Sequence, residues 1–236
     1  MTTKLFKAAD RGKADFGWLK ANYYFSFSNW HNPEKLHFGL LRVLNDDQID
    51  GGMGFGMHPH DNMEIVTIPL EGAVKHRDNA GGAGEIKAGE IQIMSAGSGI
   101  QHSEANASQT DLLKLFQIWI FPKERNIAPR YDQREFGKPA FQNTLRTVVS
   151  PEAADDALWI NQDAFFARGE YDSAQTITYN IRHSGNGAFV LVVDGSAKIG
   201  EINLGRRDAV GISDVANFAI EVTAGTHLLV IDVPMN

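Results

Sequence analysis

Turn-forming residues interrupt this chain roughly every ten positions, a spacing that favours short strands over long helices. Glycine alone occurs 23 times. Between the turns lie apolar or alternating runs: Leu36–Leu44, Met63–Leu70, Glu90–Met94, Leu112–Phe121, Gln175–Ile181, Ala188–Val193, Ala197–Leu204, Phe218–Val222 and His227–Val233. They are rich in Val, Ile, Phe and Thr, whose branched or aromatic side chains suit a pleated surface. In Met63–Leu70 one face carries Glu64, Val66, Ile68 and Leu70, and the other Met63, Ile65, Thr67 and Pro69. Both faces are largely apolar, as in a strand inside a barrel or between sheets. Helical patterns are scarce; Pro151–Ile160 and Asn161–Arg168 read as short helices or turns. The expected class is all-β, a sandwich or a barrel.

A chain of 236 residues allows one or two domains, and either half is long enough for its own core. The stretch from Ala128 to Pro151 gains polar residues and contains Pro129, Gly137, Pro139 and Pro151. The boundary is expected near residue 135, dividing 1–135 from 136–236. A weak repeat crosses it. Ile68–Lys75 resembles Val190–Lys198 in pattern, and Lys87–Glu90 resembles Asn203–Arg206. Two copies of one β-module account for this, as does chance likeness between two hairpins.

The chain has no cysteine, which excludes disulfides, thiolate zinc sites, iron–sulfur clusters and a cysteine nucleophile. Any metal must be held by nitrogen and oxygen. The net charge of −7, with no run of Lys and Arg, disfavours direct binding to nucleic acid or to an anionic membrane surface. Met1–Asp10 carries Lys4, Lys7 and Asp10 and no apolar core segment, and no long apolar window follows. A cytoplasmic location is the expectation.

Histidine placement is the strongest chemical signal. Residues two apart on a strand share a face, so His58 and His60 present two imidazoles together. Glu64 has the same parity. His102 and Glu104 repeat the arrangement after the glycine-bounded segment Gly89–Gly99. If the two strands are neighbours, three imidazoles and a carboxylate converge. Imidazole suits Fe, Ni, Cu, Co or Zn, and a carboxylate adds a preference for Fe or Mn. Four such ligands on an octahedral metal leave two sites for a chelating substrate, or for a substrate atom beside dioxygen. Other features have ordinary readings. His31, His37 and His227 are structural, and His76–Arg77–Asp78 hydrogen-bonds in a turn. Trp18, Trp30, Trp119 and Trp159 belong to the core. Gly81–Gly84 is a hairpin tip without the Lys of a phosphate loop, and Gly97–Ser98–Gly99 lacks the spacing of a nucleophile elbow.

The spacing from Gly52 through His58 and His60 to Glu64 matches the first cupin motif, and Gly89–His102 resembles the second, lengthened by two residues. More narrowly, Arg11–Glu104 resembles the pirin family. The likeness is carried by Phe16–Leu19, Phe38–Val43, His58–Thr67, His76–Asp78 and Ala96–Glu104, and extended by Gln117–Ile120 and Pro129–Tyr131. The resemblance implies a bicupin: two β-barrel or jelly-roll domains packed together, with one metal in the N-terminal barrel. The implied ligands are His58, His60, His102 and Glu104. The family metal is usually iron, here Fe(II), while related cupins accept Ni, Co, Cu, Mn or Zn. Glu64, a ligand in many cupins, would stand behind the ligands and orient an imidazole N–H.

The resemblance also implies an activity, the cleavage of the flavonol quercetin by dioxygen with release of carbon monoxide. The flavonol would bind through its 3-hydroxyl oxygen, and Glu104 would accept the proton. A second reading is a metal-containing regulatory protein that senses redox state and acts through protein partners. A third is other metal chemistry, such as sugar isomerisation. In the second module, ungapped alignment from Gly72 and Gly195 puts Ile181 at His58, His183 at His60 and Gly187 at Glu64. Alignment of Gly89 with Gly205 puts Phe218 at His102 and Ile220 at Glu104. That module is expected to hold no metal and to form a wall of the active-site cleft.

Overall fold

The computed structural model describes all residues from 1 to 236. Strands hold 57% of the chain and 4% is helical, so the class is all-β. The first twelve strands are β1 (Thr2–Phe6), β2 (Gly12–Asp15), β3 (Leu19–Tyr23), β4 (Leu41–Ile49), β5 (Gly54–His60), β6 (Glu64–Glu71), β7 (Ala73–Asp78), β8 (Ala83–Lys87), β9 (Glu90–Ser95), β10 (Ile100–Asn106), β11 (Leu113–Ile120) and β12 (Arg130–Glu135). Ten more follow: β13 (Arg146–Ser150), β14 (Leu158–Trp159), β15 (Phe165–Tyr171), β16 (Gln175–Asn180), β17 (Asn186–Asp194), β18 (Ala197–Ile199), β19 (Ile202–Leu204), β20 (Ala209–Ser213), β21 (Asn217–Val222) and β22 (Thr226–Pro234).

Four sheets result. The N-terminal half pairs a seven-stranded sheet, β12-β9-β6-β11-β4-β3-β2, with a four-stranded sheet, β5-β10-β7-β8. The C-terminal half repeats the plan with β1-β20-β17-β22-β15-β13-β14 and β16-β21-β18-β19. Each half is a cupin domain. The repeat suggested by Gly72 and Gly195 is real in the backbone: both sit where the chain crosses from the large sheet to the small one, β6 to β7 and β17 to β18, at φ of 78° and 80°. At this φ a Cβ is strained, so glycine serves both turns. The second pairing in that repeat does not hold. Gly89 has φ of 99°, whereas the corresponding C-terminal turn places Arg207, not Gly205, in the left-handed region.

Three segments depart from the sequence reading. Ala197–Leu204 is a hairpin of two short strands, broken at Gly200 with φ of 56°. The run at Leu36–Leu44 lies further along the chain, as β4, and continues through Asn45, Asp46 and Asp47. Pro151–Ile160 contains a 3₁₀ turn at Ala153–Asp155 and a two-residue strand, and Asn161–Arg168 leads into β15.

The largest core lies between the two seven-stranded sheets and draws on both halves, from Phe6 to Val233. Phe189 is its hub, with ring centroids 5.1 Å from Phe6, 5.9 Å from Tyr24, 5.6 Å from Phe25 and 5.8 Å from Phe38. Beside it, Asp46 Oδ2 accepts from Arg11 Nη1 at 2.8 Å and Arg207 Nε at 3.0 Å. The interior of the C-terminal barrel is filled by buried side chains such as Tyr171, Val190, Phe218 and Ile220. The N-terminal barrel has a smaller cluster around Leu19, Tyr23 and Leu115, and beside it a cavity of about 620 Å³.

Candidate metal centre

β5 and β10 pair antiparallel, with His58 directly opposite His102. The two-residue period then puts His58, His60 and His102 on one face of one sheet. Their ring centroids lie 4.4 Å apart for His58–His102, and 4.9 Å apart for His58–His60 and His60–His102. One nitrogen from each falls within 4.8 Å of the others. A bulge follows His102, and Glu104 lies opposite His76 on β7. His76, His102 and Glu104 form a second group of donors within 4.8 Å, sharing His102 with the first.

The surroundings fix these side chains. His58 Nδ1 donates to the Gly56 carbonyl at 2.8 Å, which leaves Nε2 for another partner. Thr67 Oγ1 donates to Glu104 Oε1 at 3.1 Å, and Gln117 Nε2 to Oε2 at 2.7 Å. Burial raises the Glu104 carboxyl, against the lowering effect of Gln117, His76 and Thr67. Burial, with His58 adding to it, lowers His60 to about 4. His102 is lowered further by burial together with His58, His60 and His76. Both imidazoles are therefore neutral at pH 7, with lone pairs available. Both ring nitrogens of His102 are buried without a hydrogen-bond partner. Such orphaned atoms in a folded interior ask for a ligand, and neutral imidazoles beside a carboxylate fit a first-row divalent cation.

Glu64 does not face this group. β5 ends at His60, the chain turns at Asn62 with φ of 45°, and Glu64 opens β6 in the other sheet. Its Oε2 accepts from Ser95 Oγ at 2.8 Å and from the Asn161 backbone N–H at 3.2 Å. It orients no imidazole; the parity reading failed because the strand did not continue. His76 lies within β7, not in a turn. Its Nε2–H donates to Asp78 Oδ2 at 3.0 Å, and its ring stacks on Tyr131 at 4.6 Å. Asp78 Oδ1 meanwhile accepts from Ala80 and Gly82, closing the hairpin tip. The two-residue offset from Asp78, parallel to His102 and Glu104, was the signal that could have brought His76 forward.

The three histidines line the cavity. Its lining is confined to residues between Phe16 and Trp119, so the C-terminal barrel supplies no wall, contrary to expectation. Trp18 and Trp119, assigned to the core from sequence, both line it with Phe27 and Phe55. Trp119 meets His60 edge-on at 4.9 Å. Asn45 and Asp47, which sequence reading passed over, also line the cavity.

Strand register corrects the comparison with the second module. Phe218 pairs with Tyr179 as His102 pairs with His58. Tyr179 therefore occupies the His58 position, and Ile181, two residues on, that of His60. Phe218 and Ile220 take the places of His102 and Glu104, and both are buried in the barrel core. No ligand-type side chain remains. His183 lies outside the set, half-exposed, 3.1 Å from Glu152.

These features have close relatives. The chain matches the family model described as Pirin over residues 6–120. Quercetin 2,3-dioxygenase of Escherichia coli K12 is 41% identical over 230 residues, covering 98% of each chain. The chain belongs to the pirin family. A pirin-like protein of Caulobacter vibrioides is 38% identical over 94% of this chain and 95% of its own. Residues 147–233 of this pirin match the model for a quercetinase C-terminal cupin domain. Among solved structures, the E. coli bacterial pirin YhhW in complex with nickel(II) superposes with a TM-score of 0.93 at 40% identity, covering 99% of both chains. Family, fold and donor set together support a divalent metal centre in this pirin.

Proposed function

We propose that this pirin is a metal-dependent quercetin-type flavonol 2,3-dioxygenase, holding Fe(II) or another divalent metal through His58, His60, His102 and Glu104. The observation that carries this is the meeting of three histidines in the lining of an aromatic-walled cavity of about 620 Å³, a size suited to a small planar ligand. The activity borne by the name of the E. coli relative gives the reaction class. The same proposal divides the chain near residue 135, with the site in 1–135 and a metal-free barrel in 136–236.

The metal, when bound, supplies a Lewis acid that lowers the pKa of the flavonol 3-hydroxyl. The chain's own residues do the rest. Trp18, Phe27, Phe55 and Trp119 offer apolar surface to the flat rings and exclude water from them. Glu104 receives the 3-hydroxyl proton, and Gln117 and Thr67 hold its carboxylate in place. Both atoms of dioxygen enter the product as the central ring opens, and one ring carbon leaves as carbon monoxide.

The test is oxygen uptake and carbon monoxide release with quercetin, on protein of measured metal content. Carbon monoxide in proportion to bound metal is the expected result. A fully loaded protein without turnover would overturn the dioxygenase reading.

A further inference from the structure

Two polar side chains in the cavity are not explained by metal binding. Asn45 and Asp47 are 3% and 4% exposed, lie two apart on β4, and line the same cavity as the histidines. The Oδ1 atom of each is buried with no hydrogen-bond partner. An unpaired buried acceptor costs stability, and natural interiors contain few of them. Both positions are cross-strand neighbours of β11: Asn45 lies opposite Gln117, the residue that holds Glu104, and Asp47 lies opposite Leu115. The polar pair thus neighbours β11, whose Gln117 reaches across to the metal-site carboxylate in the other sheet of the barrel. The walls around it are mainly apolar or aromatic.

Given the dioxygenase reading, on which this rests, we propose that Asn45 and Asp47 are specificity-determining residues that accept hydrogen bonds from further hydroxyls of the substrate, one to each. The substrate class is then a polyhydroxylated aromatic: one oxygen meets the metal ligands, and other hydroxyls meet the β4 pair. A cavity of this volume has room for such a molecule, and both polar groups lie in its lining. Burial raises the Asp47 carboxyl to about 8, with Asp46 and Glu104 adding to the effect. That shift favours the protonated form, which accepts through one oxygen and donates through the other. A site built to pair a hydroxyl discriminates strongly against an analogue without it, because the site's own polar atoms are then stranded.

The experiment measures anaerobic binding to metal-loaded protein by fluorescence quenching. Three probes are used: quercetin; 3-hydroxyflavone, which keeps only the metal-facing hydroxyl; and luteolin, which keeps the other hydroxyls and lacks that one. Wild type should bind quercetin at least about tenfold more tightly than 3-hydroxyflavone, the loss expected for one stranded hydrogen bond. Asn45→Leu and Asp47→Leu should each reduce that ratio several-fold without weakening 3-hydroxyflavone. Asp47→Asn should keep most of the preference. Metal content and circular dichroism verify that each variant is folded and loaded, and Asn45→Ala and Asp47→Ala serve as the test if the leucine variants are not. A ratio near one in wild type, or one unchanged in folded variants that lack the polar group, overturns this inference; turnover of both flavonols would leave the dioxygenase reading standing. Absence of turnover, with luteolin bound in a manner that depends on Asn45 and Asp47, would overturn that reading and retain the hydroxyl site. No binding of any probe overturns both.

Discussion

His60 sits between Trp119 and His102, with ring centroids 4.9 Å from each. Its lowered pKa leaves it neutral at pH 7, and its removal takes away a donor rather than a structural bond. His60→Ala should lower metal affinity by more than the roughly 10–100-fold typical of losing an outer-shell partner. Circular dichroism should be unchanged. Metal analysis checks this, and full occupancy in the variant would contradict the ligand set. Asp47 makes a different prediction. Its folded pKa is raised from 3.8 to about 8, so the native state holds a proton that the unfolded chain releases. The stability this contributes is complete below pH 3.8 and is lost as pH rises through about 8. Asp47→Asn removes that dependence. In metal-free protein the melting temperature of the variant should exceed that of wild type, by a margin that widens from pH 5 to pH 8. A constant difference would place the titration elsewhere. The histidines were legible in the sequence because parity along a strand survives folding. Asn45 and Asp47 were not, because Asn-Asp-Asp reads as the polar end of a run. In the fold the three residues alternate, Asp46 toward Arg207 and its neighbours toward the cavity.

At the scale of strands, turn spacing located most of the elements, and register decided the rest. The β5–β10 pairing that completes the histidine group depends on long-range contact, which spacing alone does not specify. Glu64 shows the limit: counting by twos fails once the chain leaves its sheet. Gly72 and Gly195 show the reverse case, where a weak sequence likeness marks the same turn in both halves. A Cβ at Gly195 would lie 2.6 Å from Thr226 Cα in addition to its φ of 80°. Gly195→Ala should cost roughly 1–3 kcal/mol, and each kcal/mol lowers the melting temperature by about 2–4 °C in a chain of this size. Gly89→Ala, at φ of 99° with no atom within 4 Å, should cost less. Thermal melts of the two variants compare them directly.

In the whole molecule, the two barrels share a core that neither completes alone. Phe189→Ala removes the ring that touches Phe6, Tyr24, Phe25 and Phe38 across the junction. It should destabilise the protein by about 3–5 kcal/mol, read by urea unfolding, with both halves losing structure in one transition. Separate transitions would show that the halves unfold independently. The bicupin plan was legible in the repeated motifs, whereas the packing was not, since sheet-to-sheet contact leaves no periodic trace. The placement of β1 in the sheet of the other half adds a temporal consequence. Thr2–Phe6 pairs with Ala209–Ser213, the edge strand of the opposite half. At a synthesis rate of roughly 5–20 residues per second, the first strand made waits on the order of ten to forty seconds for its partner to leave the ribosome. Phe6 spends that interval outside its core, so the newborn chain carries an unpaired strand until Ala209–Ser213 has been made.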